Sequence, residues 1–131
     1  DNPFARIDAL LEKGEARFTV VDFHAESTAE KKALAFYLDG RVSAIFGTHT
    51  HVQTADEQVL PNGTGYITDV GMTGPIVSVL GVEPQIAVQR QKTHAPVRFA
   101  VAGGPSMLNA ALFVLNDTTG LCEAVQRIDV R

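Results

Sequence analysis

The sequence lacks the features that mark several classes of protein. Its single cysteine, Cys122, excludes an internal disulfide and suits a reducing compartment, so we expect a cytoplasmic protein. No apolar run approaches the length of a membrane span, and no secretory signal peptide is visible. Lys and Arg total 11 against 15 acidic residues and do not cluster, which argues against a groove that tracks a nucleic-acid backbone. We therefore expect neither a membrane nor a nucleic-acid polymer as a partner.

The composition does support a globular core. Of the 131 residues, 45% are hydrophobic and 20% are charged, and this length fits one domain or a large piece of one. The net charge of −4 is compatible with a small phosphorylated substrate, because bound metal ions can supply positive charge locally. The chain opens at Asp1 without a methionine, and we interpret it as beginning partway through a longer protein.

A strand, a helix and a second strand follow one another in the first half of the chain. The β-rich run 17–23 (RFTVVDF) predicts a buried strand, and the run 42–46 (VSAIF) predicts the next one. Between them, Ser27 and Glu30 form a capping box, S-x-x-E, that opens a helix. This order is typical of a βαβ unit, so the two strands should be parallel neighbours. The predicted apolar stripe of the helix consists of Ala33, Leu34, Tyr37 and Leu38.

Outside this unit the sequence predicts two further helices and an antiparallel tail. Asp1 or Asn2 can cap a helix whose first turn contains Pro3. Cys122 has alternating apolar neighbours in the last strand and should be buried, which argues against a Cys–His nucleophile. The remaining predicted elements are a strand over 65–70, a glycine-bracketed loop over 71–74, a helix over 83–91, strands over 97–102, 107–115 and 121–130, and a hairpin turn over 116–120.

Three of the four histidines follow the two strands of the predicted βαβ unit. His24 comes directly after the first strand, and His49 and His51 come after the second. The carboxyl ends of parallel strands meet at one edge of a sheet, where ligands bind in open α/β folds. A lone histidine at a strand end is usually structural, but an H-x-H pair can address one metal or two neighbouring metals. We therefore predict a metal site formed by these three residues, with His94 outside it in a solvated loop.

Other polar residues near this edge could support the predicted site. Asp22 and Asp69 could orient a histidine from behind, although a cap, turn or surface role is the commoner one for such residues. The hydroxyls of Thr48 and Thr50 could donate hydrogen bonds to phosphate oxygens, or could simply pack the loop. The loop 71–75 (GMTGP) could let backbone N–H groups approach an anion.

These residues resemble a known family of enzymes. The sequence Gly47-Thr48-His49-Thr50-His51 resembles the late histidine motif of calcineurin-like metallophosphoesterases. The longer stretch from Val20 to Pro75 resembles the YmdB family of bacterial metallophosphoesterases, which act on 2′,3′-cyclic nucleotides. The resemblance continues more weakly through Arg98-Phe99 and the terminal hairpin. It implies an α/β fold in which residues 1–131 form the C-terminal half of one domain, a β-sandwich flanked by helices.

The resemblance also implies how the site works. Two transition-metal ions, iron or manganese, would be bound, with His24 and His49 on one ion and His51 on the other. The family's remaining ligands and its catalytic histidine come from N-terminal motifs that this sequence does not contain: a strand-Gly-Asp start, a Glu-Asn pair and a Gly-Asn-His triplet. We therefore expect the catalytic residue in a missing N-terminal half and the isolated chain to be inactive.

The expected activity is hydrolysis of a small phosphodiester such as a 2′,3′-cyclic nucleotide by a metal-activated water. Two alternatives are a phosphomonoesterase on the same scaffold and a non-catalytic regulatory domain that keeps the histidines for structural metal. An isolated half-domain should expose apolar strand surface or an unpaired edge, so self-association into a homo-oligomer is also expected.

Overall fold

The computed structural model describes residues 2–131, which form three helices and two β-sheets. The first sheet has the strand order β1-β2-β4-β3, and the second has the order β5-β6-β7. The mixed α/β class expected from the sequence is confirmed. The elements are α1 (Pro3–Leu11), β1 (Val20–His24), α2 (Thr28–Tyr37), β2 (Ala44–Thr48), β3 (Gln58–Val59), β4 (Gly65–Ile67), β5 (Thr73–Pro75), α3 (Pro84–Thr93), β6 (Ser106–Leu115) and β7 (Cys122–Val130).

The predicted βαβ unit is present and sets the position of the histidines. Strands β1 and β2 are parallel, and their register ends with His24 opposite Thr48. Strand β4 continues the parallel arrangement on the other side of β2, while β3 pairs antiparallel with β4. Ser27 caps α2 as predicted, since its hydroxyl accepts a hydrogen bond from the Glu30 N–H at 3.4 Å. The strand predicted over 17–23 as buried is instead an edge strand whose residues alternate between exposed and half-buried.

The core lies between α2 and the first sheet, and it differs in one respect from the predicted helix stripe. Leu34 and Leu38 are buried as expected, whereas Ala33 and Tyr37 are exposed. Ala35 and Lys31 are buried beside the two leucines. Lys31 can be buried because its ammonium pairs with the buried carboxylate of Asp69. Tyr37 instead packs edge-to-face against an aromatic ring of α1. The core cluster contains Leu34, Ala35, Leu38, Val42, Ile45, Leu60 and Tyr66.

The predicted terminal hairpin is confirmed. Strands β6 and β7 pair antiparallel from Leu108 opposite Val130 to Leu115 opposite Cys122. The turn lies where the sequence placed it, since the Asn116 side-chain oxygen accepts from the N–H groups of Thr118 and Thr119. The N-terminal helix is likewise capped by Asn2, whose side chain accepts from the Phe4 N–H. The alternative capping role of Asp1 falls outside the described residues.

Two predicted segments differ from the structure. The run 97–102 is not a strand, because Val101 makes only one isolated bridge, to Val82, and no neighbouring strand continues the pairing. The predicted loop 71–74 is partly extended, because Thr73–Pro75 pairs with the free edge of β6. Among residues 2–131, the helices fall short of the length and apolar character that a membrane crossing requires.

Candidate metal centre

Two of the three predicted histidines meet at the carboxyl edge of the first sheet. His24 ends β1, and His49 follows the last residue of β2. Nδ1 of His49 lies 3.1 Å from Nε2 of His24, with the rings edge-to-face and their centroids 4.9 Å apart. All three histidines are exposed to solvent. The parallel topology therefore brings this pair together as the sequence indicated.

His51 lies in the same loop but faces a different partner. Its Nδ1 is 3.1 Å from the carbonyl oxygen of Leu80, so that nitrogen must carry the proton and donate it. This fixes the tautomer in which Nε2 of His51 has a free lone pair. Over residues 2–131, no three His, Cys, Asp or Glu side chains group closely enough to hold one metal ion. A complete metal centre would need ligands in addition to the His24–His49 pair.

The His24 imidazole is held from behind by a hydroxyl. Thr48 Oγ1 donates to Asp22 Oδ1 at 3.0 Å, so its lone pair accepts from Nδ1–H of His24 at 3.1 Å. With the proton on Nδ1, Nε2 of His24 is left as a lone pair, which accepts a hydrogen bond from Nδ1–H of His49. Asp22 thus orients the histidine through Thr48, and the Thr48 hydroxyl is committed to His24. A hydrogen-bonded ring of this kind is the usual support of a metal-ligating histidine.

The donor pair fits a transition-metal ion by its chemistry and spacing. Neutral imidazole nitrogens are common ligands of such ions. Two nitrogens that each lie about 2.1 Å from one ion are about 3 Å apart when the two bonds form a right angle. The 3.1 Å between Nε2 of His24 and Nδ1 of His49 matches that spacing. Binding an ion there requires the proton of His49 to lie on Nε2, as in the other neutral tautomer.

A buried ion pair lies beneath the histidine loop. Lys31 Nζ is 3.0 Å from Asp69 Oδ2, and the two side chains are 2% and 0% exposed. The same Oδ2 accepts from the Thr50 N–H at 3.0 Å, and Oδ1 accepts from the Gly71 N–H at 2.9 Å. Burial alone would raise the pKa of Asp69, but the N–H groups of Gly71 and Thr50, together with the Lys31 ammonium, lower it below its usual value. The carboxylate therefore stays ionised and clamps two loops together.

Asp69 acts differently from the role the sequence suggested. It contacts no histidine and instead holds the backbone of Thr50, the residue between His49 and His51. This clamp matters because His49 has φ 110° and His51 has φ 62°, a region that side-chain-bearing residues rarely adopt. The Thr50 hydroxyl also stays within the loop, where it bonds to the backbone of Val52. Strained backbone of this kind persists only where surrounding contacts enforce it, as they do in functional sites.

Gly47 makes the close approach of these elements possible. A Cβ at this position would lie 1.8 Å from the carbonyl oxygen of Thr68 and 2.7 Å from Cδ of Lys31. The Gly47 carbonyl in turn accepts from the Val70 N–H at 3.0 Å. The glycine of the GTHTH motif is therefore required by the packing beneath the site.

The remaining predicted residues lie away from the pair. The N–H of Gly71 is bonded to Asp69, and the rest of the 71–75 segment pairs with or borders β6, so this segment forms no anion cradle. His94 is exposed at the end of α3, outside the cluster as predicted. Cys122 is buried as predicted, and burial raises the pKa of its thiol.

Comparison with known proteins places this chain in a family. The sequence model of the YmdB-like protein family matches residues 1–128. A 2′,3′-cyclic-nucleotide 2′-phosphodiesterase of Bacillus subtilis is 48% identical over 130 residues, which are 98% of this chain and 49% of that protein. A crystal structure of a Thermus thermophilus protein superposes with a TM-score of 0.94 at 45% identity, over 98% of this chain and 50% of that one. A Mycoplasma pneumoniae phosphatase gives the same TM-score at 38% identity, over 98% and 46% of the two chains.

The chain thus spans about half the length of the relatives it matches. The agreement in sequence and in three-dimensional structure extends across nearly all of it. The chain belongs to the YmdB-like protein family.

Proposed function

We propose that this chain is the C-terminal half of a dinuclear, metal-dependent phosphodiesterase that hydrolyses 2′,3′-cyclic nucleotides in the cytoplasm. The observation that supports it is the facing pair of His24 and His49, whose nitrogens are spaced for one ion. The 48% identity to a 2′,3′-cyclic-nucleotide phosphodiesterase supports the substrate class. The catalytic residue and the other ligands would come from an N-terminal half.

His24 and His49 would hold one ion, and Nε2 of His51 would hold the second. The chemistry that such ions, iron or manganese, supply is Lewis-acid stabilisation of phosphoryl charge and activation of a water nucleophile. The part played by this chain is to hold the proton away from the ligand atom in two of the three histidines. Thr48 keeps the proton of His24 on Nδ1, and the Leu80 carbonyl does the same for His51.

A phosphomonoesterase on the same scaffold is the second candidate, because one structural relative is described as a phosphatase. The two activities are separated by comparing 2′,3′-cyclic AMP with p-nitrophenyl phosphate as substrates, using the full-length protein and added manganese. Preference for the cyclic diester supports the proposal. Hydrolysis of the monoester alone would favour the phosphatase, and the isolated 131-residue chain should hydrolyse neither substrate.

The ligand assignment is tested by replacing each histidine with alanine. Loss of a residue that is hydrogen-bonded to a metal ligand already lowers metal affinity or activity about 10–100-fold. Loss of a ligand itself should cost more, so His24→Ala, His49→Ala and His51→Ala should each lower kcat/KM by at least about 100-fold. His94→Ala is the matched control, because His94 is equally exposed but lies outside the cluster. Metal content and a thermal melt are measured on each variant. Full activity at unchanged metal content would show that the three histidines are structural.

A further inference from the structure

An apolar cavity begins at His51. It has a volume of about 320 Å³, within the range of small-molecule sites, and His51 is one of its lining residues. Among the described residues that line it, none is Asp, Glu, Lys or Arg. Its apolar side chains are Met72, Pro75, Leu80, Val82, Phe99, Ala100 and Val101. The cavity therefore suits an uncharged, apolar part of a ligand whose charged part lies at the histidines.

Phe99 stands out in this lining. Its ring is 58% exposed, and the neighbouring Val101 is 78% exposed, although soluble proteins rarely cluster such side chains on their surface. The backbone beside Phe99 is nevertheless fixed, since the Ala100 carbonyl accepts from the Glu83 N–H and the Ala102 N–H donates to the Gly81 carbonyl, both at 3.0 Å. Among the residues that the structure describes, the ring is thus uncovered and lies on a segment held in place.

We propose that this cavity binds the nucleobase of the substrate, with Phe99 as the surface on which the base stacks. The inference rests on the proposed function. In a 2′,3′-cyclic nucleotide the phosphate bridges O2′ and O3′, and the base is attached to C1′, the carbon next to C2′. A phosphate at His51 consequently places the base within one ribose ring of the metal centre, and His51 is also a lining residue of this cavity. Bases are uncharged at neutral pH, in keeping with the uncharged lining, and aromatic side chains are their common stacking partners.

A matched pair of substrates tests the proposal in the full-length protein. One is 2′,3′-cyclic AMP, and the other is methyl β-ribofuranoside 2,3-cyclic phosphate, which keeps the ribose and the cyclic phosphate but lacks the base. Loss of one stacking contact is worth on the order of tenfold, so Phe99→Ala should raise KM for the nucleotide about tenfold and leave the methyl riboside unchanged. Phe99→Tyr should retain the wild-type preference. Phe36→Ala is the control, because Phe36 is 60% exposed on α2 and does not line the cavity.

Two kinds of result would contradict the binding of the base in this cavity. Equal effects of Phe99→Ala on both substrates, or no effect on either, would overturn it. A change of oligomeric state in Phe99→Ala without a change of substrate preference would assign this face to a second copy of the chain and also overturn it. Hydrolysis of neither substrate by the wild-type protein would instead refute the proposed function, so the two failures are distinguishable.

Discussion

The two sheets of this molecule differ in what holds them and in what they carry. The first sheet ends in the candidate metal centre and is supported from beneath by the buried Lys31–Asp69 pair. The second sheet carries no candidate ligand. Its long hairpin is held by backbone pairing and by the Gln53 side chain, which donates to the carbonyls of Ala110 and Ile128. Several apolar side chains of that hairpin remain exposed, namely Leu108, Leu112, Val114 and Val130. The buried Lys31–Asp69 pair thus lies where a strained loop must be held in place, and its loss should cost more than the loss of an exposed ion pair of the second sheet.

The largest difference between the sheets is expected for their ion pairs. Lys31→Met would leave the buried Asp69 carboxylate without its cation, which typically lowers the free energy of unfolding by about 3–5 kcal/mol. Arg131→Met removes the cation of an exposed pair with Asp129 at the end of β7, where side chains are 65% and 40% exposed, and should cost no more than about 1 kcal/mol. Denaturant-induced unfolding of both variants measures the two costs. Similar costs would mean that the buried pair has no special part in supporting the first sheet.

A slightly smaller difference in stability is expected between two glycine-to-alanine variants, one beneath the histidine loop and one in open space. Gly47→Ala would place a methyl group 1.8 Å from the Thr68 carbonyl oxygen, and that backbone atom cannot move without disturbing the sheet. We expect a loss of about 3 kcal/mol, at the upper end for overpacking. Gly103→Ala is the matched control, because a Cβ there meets nothing within 4 Å, and it should change stability by less than about 0.5 kcal/mol. A fully stable Gly47→Ala protein would show that the packing beneath the histidine loop is loose.

Local patterns were sufficient to predict much of the fold. The capping box at Ser27 and the turn residues of the terminal hairpin act within a few residues, so their signals survive in the sequence. The run 97–102 has the composition of a strand but lacks the continuous partner strand that would make it one, and no local pattern reports a missing neighbour. The convergence of His24 and His49 on one sheet edge was predictable because it follows from parallel strand order.

The supports of the site were not predictable in the same way. Lys31 lies on a helix and resembles a solvated residue, and its partner Asp69 is 38 positions further along the chain. The contact of Thr48 with His24 depends on the exact register between β1 and β2, since a shift by one residue would place another side chain opposite the imidazole. Such long-range pairings become visible only when the strands are aligned in space.

The smallest expected effect is that of removing one hydroxyl, that of Thr48. It tests the register between β1 and β2, which places this hydroxyl beside His24. Thr48→Val keeps the shape of the side chain but removes the oxygen that accepts from Nδ1–H of His24 and donates to Asp22. The imidazole would then be free to change tautomer or rotate, so manganese affinity should fall 10–100-fold, as is usual when the outer partner of a ligating histidine is lost. Thr48→Ser, which retains the hydroxyl, should restore most of the affinity, and a purely structural role in packing would not give this rescue. Thr118→Val, in the exposed turn of the β6–β7 hairpin, is the matched control and should leave metal affinity unchanged. Titration of the full-length metal-free proteins with manganese measures all three variants. An unchanged affinity in Thr48→Val would mean that the hydroxyl does not orient the His24 imidazole for metal binding. Support for the centre would then come from the Asp69 carboxylate alone.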